Sequence, residues 1–286
     1  MKLALLGYPL SHSLSPTMHS AALASVGLSD WEYSALPVAP DILHKAVGWI
    51  RSEEYAGANV TVPHKETIIP FLDGLTPVAE AIGAVNTLVK RDGKLIGHNT
   101  DAAGFLADLY AHDVHTSNCS ALILGAGGSA KAVVAALAPL GCEIHLSARR
   151  RDQAQSLISH LQFSNSQLPV TVHDLTVHGL EKASRHVALI VNCTPLGMSP
   201  NVNVSPWFES APFPPGAFVY DLVYNPAKTL LVKRATAAGL RAATGLGMLV
   251  EQGALAFEFW TGKTAPRKLM REAAEKKIDS STQVNK

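Results

Sequence analysis

Apolar positions in this chain follow two rhythms: short runs bounded by Gly, Pro, Asn or Ser, which read as buried strands, and longer stretches spaced by three and four, which read as helices. A strand at 3–7 leads into a helix opening at Ser15 and Pro16, with Ser15 as cap and Pro16 at the first helical position, ending near Gly27. A second strand spans 31–38, a helix 41–49, and a third strand 58–62, stopped by Pro63. Side chains alternate along a strand, so Asn59 and Thr61 share one face while Val60 and Val62 take the other. A helix at 77–82 precedes strands 85–89 and 94–97, which flank the hairpin signal Asp92-Gly93, and Asp101 caps the helix that follows. Beyond the polar stretch 112–118 the strand-helix rhythm restarts. It gives a strand at 121–124, a helix to 140, a strand at 143–147, a helix through 161, strands at 170–173, 187–192 and 217–223, and a helix at 229–238 closed by Gly239. Helices at 248–261 and 266–277 precede a polar tail.

This is an α/β pattern, and 286 residues allow two domains or one large unit. With 47% hydrophobic and 16% charged residues the chain can bury a core. Lys and Arg number 24 against 23 Asp and Glu, so there is no basic excess of the kind that binds a phosphate backbone, and nucleic acid is not an expected partner. Cys119, Cys142 and Cys193 are too widely spaced for a disulfide framework or a zinc site and point to a reducing compartment. The opening apolar run is cut by Gly7 and Pro9 before it reaches signal-peptide length, and no stretch approaches the ~20 apolar residues of a membrane span. A soluble, cytoplasmic protein is expected. The twelve histidines read as solvent-facing or capping residues, and His112 and His115 have no third metal ligand nearby, so no metal is expected.

The second block carries a chemical signature. Gly125, Ala126, Gly127, Gly128, Ser129 and Ala130 follow one predicted strand and open a helix. That is the context in which glycines permit a tight turn and a close approach to pyrophosphate at the helix's positive end. Where an NAD site places Asp or Glu after the next strand, this chain has Arg149, Arg150 and Arg151. Guanidinium groups suit a 2′-phosphate and have no acceptor for a ribose hydroxyl, so NADP is the favoured cofactor; Asp152 keeps NAD open.

The first block gathers polar residues in two places: Ser13 and Ser15 in the loop leaving the first strand, and Asn59, Thr61 and Lys65 at the end of the third. They stand within ordered blocks: G-Y-P-L-S-H-S-L-S-P from Gly7, N-V-T-V-P-H-K from Asn59, G-A-V-N-T from Gly83 and G-H-N-T-D-A-A-G from Gly97. Beyond the glycine loop come N-C-T-P-L-G-M from Asn192, D-L-V-Y-N-P from Asp221 and G-L-G-M-L-V-E-Q-G-A from Gly245. Through these blocks the chain resembles the shikimate dehydrogenase family over nearly its whole length.

The resemblance implies an N-terminal α/β substrate domain, 1–101, completed by helices of 245–286 that return to it, and a Rossmann-type doubly wound NADP-binding domain, 102–244. It implies NADPH-dependent, reversible reduction of 3-dehydroshikimate to shikimate in aromatic amino acid synthesis. Lys65 and Asp101 would be the catalytic pair. Ser13, Ser15 and Tyr224 would hold the substrate carboxylate, and Asn59, Thr61, Asn86, Asp101 and Gln252 its hydroxyls. On the cofactor side, residues 125–130 with Arg149 and Arg150 would bind the adenosine phosphates, while Leu222, Gly245 and Met248 would shape the nicotinamide pocket, Gly245 and Gly247 letting the chain approach the cofactor closely. Ser20, Pro77, Ala148 and Arg150 depart from the family pattern; none is in the catalytic pair. The alternatives are a paralogue acting on quinate or an aminoshikimate, against which paired serines argue, and a non-catalytic NADP-binding sensor, which has no use for a proton-transferring pair. A monomer or homodimer is expected.

Overall fold

The first apolar run forms strand β1 (Lys2–Gly7), and its alternation decides the layers around it. Leu3 and Leu5 join Met18, Tyr33, Val250, Ala254, Phe257 and Trp260 on one face, while Ala4 and Leu6 join Val47, Ile50, Ala58, Val60 and Leu88 on the other. The structure, a computed structural model, describes residues 1–11, 13–164 and 170–284; His12 of the first motif lies outside them. The chain divides into two units, Met1–Gly104 with Leu249–Lys286, and Phe105–Met248.

In the first unit, β1 is followed by α1 (Ser15–Ser25), β2 (Glu32–Pro37), α2 (Leu43–Arg51), β3 (Tyr55–Val60), α3 (His64–Thr67), β4 (Gly74–Leu75), α4 (Pro77–Ile82), β5 (Thr87–Arg91), β6 (Lys94–His98) and the start of α5 (Asp101–Ala111). The six strands form one mixed sheet in the order β2-β1-β3-β5-β6-β4. β1 lies parallel to β2 and β3, and β5 runs antiparallel to both β3 and β6. Chain order therefore reverses at β1, and the loops after β1 and β3 leave adjacent carboxyl ends, the place where open α/β sheets bind ligands.

The second unit holds the rest of α5, then β7 (Ser120–Leu124), α6 (Gly128–Leu137), β8 (Glu143–Ala148), α7 (Arg151–Ser164), β9 (Val170–Asp174), α8 (Val177–Ser184), β10 (Leu189–Asn192), β11 (Phe218–Asp221), α9 (Leu230–Ala237) and β12 (Ala242–Thr244). Its sheet order, β12-β11-β10-β7-β8-β9, is all parallel and is the doubly wound dinucleotide-binding order, with its switch point between β7 and β10. α10 (Leu246–Thr261) and α11 (Arg267–Val284) end the chain. The part of α10 in the first unit packs Val250, Phe257 and Trp260 onto that sheet, and the Trp260 indole donates to Leu88 O at 2.9 Å.

Several local expectations change. Ser15 is the first residue of α1 rather than its cap, because the helix already closes from Leu14 O to Met18 N. Ser13 Oγ accepts the Ser15 N–H instead. β3 stops at Val60, so Thr61 is beyond the strand and Val62 is exposed rather than packed on a face. Asp101 starts α5, and its own N–H donates to Asn99 Oδ1 at 2.9 Å. The short α3, β4, α8 and β12 carry too few residues for a sequence period to register.

Not all histidines face solvent. His64 is buried and its Nε2–H donates to Val38 O at 2.6 Å. His19 is fully buried and stacked on Tyr33 with ring centroids 4.3 Å apart, and neither ring nitrogen has a hydrogen-bond partner among the described residues. Burial pushes its pKa down to about 3 from 6.5. A base whose pKa is depressed by folding takes up protons preferentially in the unfolded chain, so its contribution to stability is complete above the unfolded pKa and is lost as pH falls toward the folded one. Between pH 7 and 5 the wild-type chain should lose about 2 kcal/mol more unfolding free energy than His19→Phe, measured by urea denaturation. Parallel losses in the two proteins would mean that His19 is not the group responsible.

Candidate functional site

At the centre of the first unit, Lys65 Nζ lies 2.6 Å from Asp101 Oδ2, with only 12% and 5% of the two side chains exposed. Such a pair is costly to desolvate and persists only where further hydrogen bonds complete it. Asn86 supplies one, its Nδ2 donating to Asp101 Oδ1 at 2.8 Å. The start of α5 supplies favourable dipole for the carboxylate. The Lys65 side of the pair is fixed through the backbone, since Val85 N–H donates to Lys65 O at 2.7 Å.

Asn86 is in turn held from all sides. Its Oδ1 accepts from Thr100 N–H at 2.8 Å and from Thr87 Oγ1 at 2.9 Å, and its Nδ2 faces Thr100 Oγ1 at 2.8 Å and Gln252 Oε1 at 3.1 Å. Asn59 extends the network: Nδ2 donates to Asn86 O at 3.1 Å and lies 3.3 Å from Thr87 Oγ1, while Oδ1 accepts from the Tyr33 hydroxyl at 2.7 Å. Both amide hydrogens of Asn59 and one of its two acceptor positions are thus already engaged, and this residue orients the frame. Asp101 keeps lone pairs beyond its bonds to Lys65 and Asn86.

Of the residues singled out on the substrate side, Lys65, Asn86, Asp101 and Asn59 from the first block and Gln252 from the last are brought together in this one network. Thr61 begins the loop after β3, its N–H donating to Leu6 O, and Ser13 and Ser15 lie in and just after the loop leaving β1. Tyr33, Asn99 and Thr100 join it without having stood out in the sequence. For Asn99 a local signal existed: an Asn two residues before a helix start turns its side chain onto the backbone, as it does here. Tyr33 lies 26 residues from Asn59 and had none.

The second unit presents a different site. Gly125, directly after β7, has φ +107°, a backbone that side-chain-bearing residues rarely adopt, and its N–H donates to Ser147 O at 2.8 Å. α6 then starts at Gly128 with Gly127 as N-cap and no side chain capping it, which leaves amino-terminal N–H groups directed at the loop. Ala126, Ser129 and Ala130 complete this turn. Across the switch point, Asn192 and Asp221 end β10 and β11. Asp221 is fully buried and accepts from Asn192 Nδ2 at 2.8 Å, Val223 N–H at 3.1 Å and Thr229 Oγ1 at 2.6 Å. Burial outweighs these bonds and pushes its carboxyl up to about 6. This clamp joins two of the sequence blocks, and spacing alone assigns it no role.

Beyond β8, Arg149 and Arg150 are exposed and make no ion pair among the described residues, whereas Arg151 is engaged by Asp174 at 3.1 Å. The uncapped helix start and two unengaged guanidinium groups fit an adenosine diphosphate bearing a further phosphate. Leu222, Tyr224, Gly245 and Met248 all belong to this unit. Gly245 and Gly247 both make close approaches to neighbouring protein atoms. A side chain at Gly245 would meet Leu222 O at 2.3 Å, and one at Gly247 the Asp108 carboxylate at 1.7 Å. Among the described residues no group of three metal-ligating side chains occurs, and no helix is long and apolar enough to cross a membrane.

A doubly wound dinucleotide-binding unit, joined to an α/β unit that holds a buried lysine-carboxylate pair, defines a nucleotide-dependent oxidoreductase architecture. The model of the shikimate dehydrogenase substrate-binding domain matches residues 5–88, and that of the shikimate 5′-dehydrogenase C-terminal domain matches 245–275. A curated shikimate dehydrogenase (NADP(+)) of Symbiobacterium thermophilum is 41% identical over 273 residues, covering 95% of this chain and 92% of its own. The crystal structure of shikimate 5-dehydrogenase from Thermus thermophilus in complex with NADP(H) and shikimate is 38% identical, covers 97% of this chain and 99% of that one, and superposes with a TM-score of 0.85. The chain belongs to the shikimate dehydrogenase family. A 5-ketofructose reductase of Gluconobacter sp. strain CHM43 has the same fold at 30% identity, 96% and 98% coverage and a TM-score of 0.80, so the fold alone does not name a substrate.

Asn86→Ala removes the donor to Asp101 and the acceptor of the Thr100 N–H together. It should lower unfolding free energy by about 2 to 3 kcal/mol, the penalty of buried polar groups left unpaired, as read by chemical denaturation. A loss below the error of the measurement would show that the network closes without this residue.

Proposed function

We propose that this protein is an NADP-dependent shikimate dehydrogenase, which reduces 3-dehydroshikimate to shikimate reversibly in aromatic amino acid biosynthesis. The observation that carries the reading is the buried Lys65–Asp101 pair, in a chain whose relatives bear that activity along 95% of its length. NADPH supplies the hydride when bound, held by the turn of residues 125–130, by Arg149 and Arg150 at its extra phosphate, and by Leu222, Gly245 and Met248 at its nicotinamide end.

The chain's own groups handle the proton and the substrate. Reduction of a ketone leaves negative charge on its oxygen, and Lys65 Nζ delivers a proton there and takes it back in the reverse direction. Asp101 orients the ammonium through its 2.6 Å contact and uses its remaining lone pairs for a substrate hydroxyl. Ser13, Ser15 and Tyr224 receive the carboxylate, and Thr61, Asn86 and Gln252 the hydroxyls; Asn59 joins them chiefly by holding the backbone and side chain around Asn86 in register. Exclusion of water around a pair this deeply buried strengthens each of these bonds. In this reading the enzyme works in the cytoplasm on a small molecule, as a monomer or homodimer, with its cysteines as free thiols.

Lys65→Ala should lower turnover by roughly 10² to 10⁴-fold, the usual worth of a general acid, with a much smaller change in KM for shikimate. Near-normal turnover in that variant would remove Lys65 from the mechanism. Replacing Arg149 and Arg150 together by Ala should raise KM for NADPH while leaving KM for NADH nearly unchanged; equal effects would show that the extra phosphate is read elsewhere. Rates of shikimate and quinate oxidation, each with NADP and NAD, should be highest for shikimate with NADP, and activity greatest on quinate would assign the chain to the paralogue instead.

A further inference from the structure

Outside both sites, two of the three cysteines meet. Cys119 immediately precedes β7 and Cys142 immediately precedes β8, and because Ser120 is paired with Glu143 in that parallel ladder the two cysteines stand one register step before it. Paired residues of a parallel ladder direct their side chains to the same face, and the two sulfurs lie 2.9 Å apart. The backbone on both sides is pinned: Asn118 N–H donates to Leu140 O at 2.9 Å and Glu143 N–H to Cys119 O at 2.8 Å. Cys142 is fully buried, with its Sγ donating to Thr116 O at 2.8 Å, while Cys119 is partly exposed.

We propose that Cys119 and Cys142 are a redox-reversible pair, oxidised to an intrachain disulfide by hydroperoxides, and that the bond staples the first strand-helix segment of the nucleotide-binding unit. The sulfur of Cys119, as thiolate, attacks the outer oxygen of the hydroperoxide, whose O–O bond breaks and releases an alcohol, or water from hydrogen peroxide, leaving a sulfenic acid. Cys142 then attacks that sulfur; the S–O bond breaks, water leaves with the remaining proton, and the S–S bond forms. Two thiols have lost two electrons, and the peroxide bond has gained them. Proton sharing between the thiols supports the chemistry, because a pair that can delocalise one proton gives up the other more readily than a lone cysteine. The hydrogen bond between the two sulfurs holds the Cys142 thiol down at about 7 and pushes that of Cys119 up, so Cys119 reacts when its proton passes across the 2.9 Å contact to Cys142 and leaves the charge on the exposed sulfur. Exposure selects Cys119 as the sulfur that meets the oxidant, and burial makes Cys142 the resolving partner.

The bond would close a loop containing β7, the glycine turn and α6, and so restrict the unfolded chain. It would leave the cofactor turn undisturbed, since the sulfurs sit at the amino ends of β7 and β8 and Gly125 follows the carboxyl end of β7, roughly 20 Å away along a strand rising about 3.3 Å per residue. The inference does not depend on which substrate the enzyme takes.

The full-length protein, fully reduced and then treated with hydrogen peroxide, should retain one alkylatable thiol of its three in denaturant, at Cys193, and give a single peptide pair linking Cys119 to Cys142. Dithiothreitol should restore all three. Oxidation should also raise the melting temperature by roughly 5 °C. Cys193→Ser should behave like the wild type, and Cys119→Ser or Cys142→Ser should show no such shift. Three thiols remaining after oxidation, peroxidation of Cys119 without a link, or a link between two chains would overturn the proposal. An intrachain bond formed with no rise in melting temperature would overturn the stapling it is assigned.

Discussion

A buried ion pair is expensive, and the first unit is organised around meeting that expense. Lys65 and Asp101 come from different elements, α3 and α5, and each is fixed by partners the other does not share. The backbone of Lys65 is bound to the chain entering β5, and the carboxylate of Asp101 to Asn86 in that same stretch. Asn86 is therefore central to the arrangement: it holds the Asp101 carboxylate and follows directly on Val85, whose N–H binds the Lys65 backbone. Tyr33 and Asn59 extend the constraint across the sheet to β2, and Gln252 extends it to α10. The bonds among Tyr33, Asn59, Asn86, Thr87, Thr100 and Asp101 lie buried away from water, where an unmatched group costs more than a matched one contributes, while those to Lys65 and Gln252 are partly buried. The pair is thus preorganised: the lysine is held at a fixed place before any ligand arrives, which is the requirement for proton transfer at a defined atom.

The second unit solves a different problem, that of presenting charge-neutralising groups at a strand end. Its parallel sheet puts every strand's carboxyl end on one edge, and the switch point opens that edge between β7 and β10. The Asp221 clamp ties the ends of β10 and β11 to Thr229 at the start of α9 and keeps the loops on one side of the switch point in place. The turn of residues 125–130 lies on the other side. On the far edge, pairing with Asp174 occupies Arg151, whereas Arg149 and Arg150 make no ion pair among the described residues. The amino ends of the same strands carry the thiol pair, so the two ends of one sheet serve separate chemistries.

Much of this was legible in the residue order. The α/β alternation, the glycine turn with its flanking strand and helix, and the arginines after β8 are local patterns, and local patterns survive in a sequence because neighbours in the chain make them. Boundaries were less legible. Ser15 as a cap and Thr61 as a strand residue both failed by one position, since capping depends on where the first helical hydrogen bond closes and strand length on where the neighbouring strand stops pairing. The buried histidines failed for a related reason. A stacked imidazole beside Tyr33 is the outcome of α1 and β2 packing, and no spacing along the chain marks it.

The order of residues by itself determined the class of fold and favoured NADP as cofactor, because each rests on residue chemistry at fixed local spacing, whereas the lysine and carboxylate were singled out only through the resemblance carried by the ordered blocks around them. Tertiary structure alone decided what those residues touch. It made Asn59 part of a frame, gave Asn86 its central place, packed Gly245 against Leu222 and Gly247 against Asp108, and set Cys119 against Cys142. Parallel strands are the physical reason for the last: they bring together residues separated by a whole strand and helix, a distance over which the sequence carries no periodic signal.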